Sequence, residues 1–148
     1  MTLSCSECGA TVPEGGSCRD QFHALLVLES EIPGGPGETA HFYAVGSYVL
    51  QHPEGMGYTA QAIAMLRGQM AARLAGRATM EQVRGRVRQA TDGPARVIRR
   101  PGDAATRWPV LAWPMTVADV LVGGVEGYQG RVAAWAESLI AALDAADA

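Results

Sequence analysis

The sequence has no lysine: all twelve basic residues are arginine. Three cysteines, three histidines and two phenylalanines are spread over 148 residues, and no apolar run approaches the roughly 20 residues of a bilayer span. The start, Met-Thr-Leu-Ser followed at once by a cysteine, lacks the basic and apolar regions of a secretory signal. An odd number of cysteines with no such signal argues against a disulfide framework and for reduced thiols in a cytoplasm. A Gly-rich phosphate loop, a nucleophile elbow and a His-Glu-x-x-His helix are also missing. These absences leave a cytoplasmic chain whose chemistry must come from a few residues.

Those few residues begin at Cys5-Ser6-Glu7-Cys8-Gly9. Two thiolates separated by two residues grip one ion from a tight turn, and the glycine after the second lets the turn close. Thiolates are soft donors that suit zinc far better than calcium or magnesium. Cys18 supplies a third sulfur, so a tetrahedral set needs a histidine as its fourth member. With 48% hydrophobic residues the chain can bury a real core, and residues 1–148 read as one helical domain.

The order of elements follows from punctuation. Residues 1–17 form a knuckle and a loop, with Pro13 and Gly15-Gly16 excluding a helix. Ser17 caps a helix over 18–29, and a Pro/Gly-rich loop leads to a second helix over 39–51 that Pro53 stops. A third helix fits 59–75, and Thr79 caps a shorter one with Val83 and Val87 inward. Residues 91–115 are a long Pro/Arg-rich loop, in which Trp108-Pro109 and Trp113-Pro114 act as clasps and 96–100 is extended. Thr116-x-x-Asp119 starts a short helix, and a last helix covers 127–144. The expectation is an all-α fold: a small bundle of about five helices, with a zinc knuckle packed on the first helical hairpin.

Spacing selects the fourth ligand. Cys18 and Glu29 are eleven residues apart, as are His41 and His52. Eleven residues make three turns, about 16.5 Å, and return to nearly the same helix face. An antiparallel hairpin therefore sets Cys18 beside His52 at one end and Glu29 beside His41 at the other. The metal set is Cys5, Cys8, Cys18 and His52 with Zn2+, and His41 and His23 are the other candidates for the fourth position. His23 stands about 140° round the helix from Cys18.

The net charge of −3 conceals an uneven layout. Residues 67–107 hold ten arginines against three acids, while the flanking stretches are acidic. Arg84, Arg88, Arg96, Arg99 and Arg100 mark a surface for an anionic or protein partner, or a basic helix lying against acids of its own fold.

Taken together, Cys5-x2-Cys8-Gly9-Ala10, Cys18-Arg19-Asp20, Glu29, Tyr48-Val-Leu-Gln-His-Pro53, Trp113-Pro-Met-Thr-Val-Ala-Asp119 (or Trp108-Pro) and Trp135-Ala136 carry a resemblance. The chain resembles a family of uncharacterised bacterial proteins known as a domain of unknown function, and its Ala-, Gly- and Arg-rich composition looks like that of a GC-rich bacterial genome. The resemblance implies an all-helical, metal-associated protein, includes His41 and His52 in the pattern but not His23, and brings no assigned activity.

Four functions compete. Zinc is structural in a binding or regulatory module; or Glu29 and His41 form an acid–base couple or second metal site of an enzyme. A thiol redox role is disfavoured because Glu7 lies between the cysteines and no cation stabilises a thiolate. Nucleic-acid binding through arginines from Arg84 to Arg107 lacks an aromatic stacking strip.

Overall fold

The computed structural model describes residues 2–94, 96–104, 106, 108 and 111–147. Ser17 opens the first helix by a reciprocal cap. Its hydroxyl accepts from the Asp20 N–H at 3.2 Å while the Asp20 carboxylate accepts from the Ser17 N–H at 3.0 Å. The helix that follows, α1 (Cys18–Glu31), is joined by α2 (Glu38–Gln51), α3 (Pro53–Met56), α4 (Ala60–Leu74), α5 (Met80–Asp92), α6 (Val117–Leu121) and α7 (Tyr128–Ala146). Thr79 makes the same reciprocal cap with Gln82 for α5, and at α6 the Asp119 carboxylate accepts from the Thr116 N–H at 2.8 Å. Among the described residues five helices are long, and α3 and α6 are single turns. Among the described residues the fold is all-α apart from one strand pair.

That pair is β1 (Thr2–Ser4) and β2 (Thr11–Pro13), antiparallel with Leu3 opposite Val12. It lies where a loop is expected from Pro13 and the glycines. Pro13 occupies the end of its strand, where a missing N–H is tolerated. Pro53 likewise does more than stop α2. As the first residue of α3 it needs no N–H partner, and the chain leaves that turn through Gly57 at φ 70°.

The core forms around α2 and α7. Trp135, Leu139 and Leu143 of α7 are fully buried at helical spacing, against Ala44, Val49 and Leu50 of α2. Each such side chain contributes about 1.5–3 kcal/mol by leaving water. The α2–α4 approach is close: a Cβ on Gly46 would stand 2.5 Å from the Met70 sulfur. Val117 and Val120 of α6 and Leu25 of α1 complete the core.

Residues 93–116 contain no helix among those described. They are tied down by an isolated bridge between Tyr58 and Ile98, with N–H bonds from Thr59 to the Val97 carbonyl and from Arg99 to the Gly57 carbonyl. Trp108 donates its indole N–H to the Leu50 carbonyl and Trp113 donates to the Glu7 carbonyl, so one clasp holds the loop to the end of α2 and the other to the N-terminal knuckle. Pro109 and Arg107 lie outside the described residues. No helix of the described residues is long and apolar enough to cross a membrane.

Candidate metal centre

The Cys5–Gly9 turn closes as its sequence requires. The Gly9 N–H reaches back to the Cys5 carbonyl at 2.9 Å, the Cys5 N–H donates to the Ala10 carbonyl at 2.8 Å, and Gly9 has φ 78°, a region that favours glycine. The Ala10 N–H donates to Cys8 Sγ at 3.4 Å. Such N–H···S contacts favour sulfur in its anionic form. The turn is latched to α3 by Glu7, whose carboxylate accepts from the backbone N–H groups of Glu54 and Gly55.

α1 and α2 meet in antiparallel register through three side-chain contacts. Cys18 lies near His52, the Phe22 ring stacks on Tyr48 at 4.1 Å, and Glu29 Oε1 accepts from His41 Nδ1 at 2.7 Å. The C-terminal end of α2 thus delivers His52 to the knuckle. The donor atoms of Cys5, Cys8, Cys18 and His52 all lie within 4.8 Å of one another, which is close enough to hold one metal ion. Cys8 Sγ is 3.4 Å from Cys18 Sγ, and Cys5 Sγ is 3.5 Å from His52 Nε2. Cys8, Cys18 and His52 are buried and Cys5 is half-buried.

His52 is oriented from two directions. Its Nδ1 lies 2.8 Å from the Tyr48 carbonyl, an acceptor, so Nδ1 carries a proton and Nε2 faces the sulfurs. The Tyr48 ring stacks on the imidazole at 4.1 Å, making a continuous Phe22–Tyr48–His52 column.

Charge is correlated inside the cluster. A bond from the Cys18 thiol, against the opposing effect of burial, takes Cys8 down to about 4, with help from His52. Cys18 is pushed far up, first by donating to Cys8 and then by burial. Burial pulls the His52 imidazole down, but the Cys8 sulfur and the Tyr48 carbonyl outweigh it and carry it up to about 9. The three shifts favour an anionic Cys8 sulfur, a protonated Cys18 and a cationic His52.

At the other end of the hairpin, both oxygens of buried Glu29 are engaged. Oε1 faces His41 and Oε2 accepts from the Tyr128 hydroxyl at 2.5 Å. Burial and then donation to Glu29 raise the Tyr128 hydroxyl well above its ordinary range. His41 is half-exposed, with 55% of its side chain in solvent, and stands three turns from the cluster. His23 is exposed on α1 and outside the cluster. Tyr128 has no local sequence signal linking it to a glutamate 99 positions away; only the packing of α7 brings it there.

The arginine segment is exposed but partly neutralised within the fold. Arg84 is ion-paired with Glu38, Arg96 forms a two-pronged pair with Asp103 at 2.6 and 2.9 Å, and Arg99 donates to the Glu54 carbonyl. Arg88 and Arg100 are exposed.

Fold and site define a class: a helical bundle in which an N-terminal knuckle and the first two helices gather a Cys3His cluster able to hold a metal ion. Within it, this chain belongs to the family of unknown function DUF5946, which matches residues 3–144. No curated protein and no solved structure matches the chain.

Proposed function

We propose that Cys5, Cys8, Cys18 and His52 hold one structural Zn2+ and that the protein is a binding or regulatory module whose N-terminal third is fastened by that ion. The observation that carries this reading is the convergence of four soft or borderline donors from three separate stretches of chain to within 4.8 Å. Zinc–sulfur bonds of about 2.3 Å and zinc–nitrogen bonds of about 2.0 Å give a tetrahedron with edges of roughly 3.5–3.8 Å. The 3.4 and 3.5 Å separations are close to those edges. The proton on His52 Nδ1 and the N–H directed at Cys8 Sγ are the outer contacts that such a site uses to orient its ligands.

Four protein donors leave no coordination position for water, so the ion contributes folding energy and not catalysis. It would join a short strand pair, which is not stable alone, to α1 and α2. Glu29, His41 and Tyr128 are read as a second fastening of the same hairpin, because both carboxylate oxygens already have donors.

Chelation tests the reading. Stripping the metal should lower the melting temperature and free the amides of residues 2–18 to exchange, and Cys8→Ser should reproduce both effects without chelator. A stripped protein that melts like the untreated one would end the structural role.

A further inference from the structure

At the opposite end of α2 from the cysteine cluster lies an open groove of about 610 Å³ between the start of α2, α4 and α7. Its size is that of a small-molecule site, for which the usual range is about 300–1,000 Å³. Tyr43 lines this groove with most of its ring buried, and its hydroxyl, which reaches the open groove, has no hydrogen-bond partner among the described residues. Arg73 lines it too. The guanidinium donates from Nη2 to the neutral Thr39 hydroxyl at 3.2 Å, pairs with no carboxylate among the described residues, and keeps a buried Nε without a partner.

A third donor group points the same way. α2 begins at Gly37, which supplies no side-chain cap, so the first-turn N–H groups at the groove's edge lack a capping acceptor. Buried polar groups are ordinarily paired, so the buried Arg73 Nε is the unusual donor, and the Tyr43 hydroxyl and the first-turn N–H groups stand beside it at the same groove, open to an acceptor from outside. Met80 and Ala133 give the groove apolar lining, beside the polar Thr79 and Gln129. Two acids border the groove: Glu38 is engaged by Arg84, and Glu137 is exposed, its charge felt by Tyr43.

We propose that this groove binds a small organic oxyanion, a carboxylate or phosphate monoester with an apolar body, its head on Arg73, the Tyr43 hydroxyl and the first turn of α2. The head replaces water on donors that the fold leaves unsatisfied, and the body covers the Met80 and Ala133 lining. The site is separate from the cysteine cluster and does not depend on which ion, if any, that cluster holds.

The test is an amide-shift titration of the full chain with benzoate, phenyl phosphate and inorganic phosphate at low ionic strength. Saturable shifts are expected in residues 38–40 and 43 with both phenyl compounds, and weaker binding with the bare ion, which brings no apolar body. Arg73→Gln should weaken binding about tenfold and Tyr43→Phe about threefold or more, each with unchanged metal content. Tyr43→Phe decides the matter alone if Arg73→Gln does not fold, because that hydroxyl bonds nothing among the described residues. Two results would overturn the proposal. One is no saturable shift with any of the three probes up to about 10 mM. The other is undiminished binding in the folded variants.

Discussion

Tyr48 holds His52 twice, through its backbone carbonyl 2.8 Å from Nδ1 and through its ring stacked at 4.1 Å on the imidazole. Both contacts come from the last turn of α2, since His52 is the residue that ends the helix, four positions after Tyr48. The carbonyl sets the tautomer and the ring sets the plane.

Removing the ring should therefore cost metal affinity without removing a ligand. Tyr48→Ala is expected to weaken zinc binding about tenfold or more, the scale of outer-contact losses at metal sites. Tyr48→Phe should bind like the wild type. Competition with a chromophoric chelator measures both, and equal affinity in Tyr48→Ala would show that the stack is incidental.

The Glu29 clamp should be unequal in its two arms. Tyr128 is 1% exposed, so Tyr128→Phe leaves a buried carboxylate oxygen without a donor and should cost about 1–3 kcal/mol. His41 is half-exposed, so water replaces it in His41→Ala and the loss should stay below about 1 kcal/mol. Urea unfolding of the two variants compares the arms; a larger loss from His41→Ala would mean that the pair is more than a fastening.

Acid and base should both destabilise the metal-stripped protein. Cys8, held down to about 4 against an ordinary 9.0, contributes stability that is fully present above 9.0 and lost as pH falls through 4. His52, carried up to about 9 from 6.5, contributes stability that is fully present below 6.5 and lost as pH rises through 9. Between 6.5 and 9 the two slopes cancel, giving a plateau with a decline toward pH 4. Above 9.0 the raised Cys18 thiol keeps a proton that the unfolded chain releases, and stability falls again. Denaturant midpoints of the chelated protein across this range check the shape; stability rising steadily toward acid would contradict it.

Nucleic acid should bind poorly. With Arg84 on Glu38 and Arg96 on Asp103, two of the candidate phosphate contacts are already neutralised. A gel shift at physiological salt is expected to be negative, and Arg84→Ala with Arg88→Ala to change nothing. A retarded band that weakens steeply with salt would restore the nucleic-acid reading.

Much of the architecture is legible because its signals are local. Ser17, Thr79 and Thr116 announce helix starts by caps that the structure contains, and the apolar spacing of residues 132–143 marks the buried face of α7. The meeting of Cys18 with His52 and of Glu29 with His41 is readable too, because equal eleven-residue separations on two helices fix an antiparallel register. What escapes is decided by distant packing. β1 is three residues long and exists through its pairing with β2, and α3 hides behind a proline that reads as a stop. Tyr128 on Glu29 and Arg73 beside Tyr43 belong to helices that meet only in the folded chain.

The most direct measurement is zinc per chain, by elemental analysis, in the wild type, His52→Ala and His41→Ala. The account predicts one zinc in the wild type, loss from His52→Ala, and retention in His41→Ala, whose imidazole bonds Glu29 three turns away. A zinc-free wild type, or zinc kept in His52→Ala and lost from His41→Ala, would contradict it.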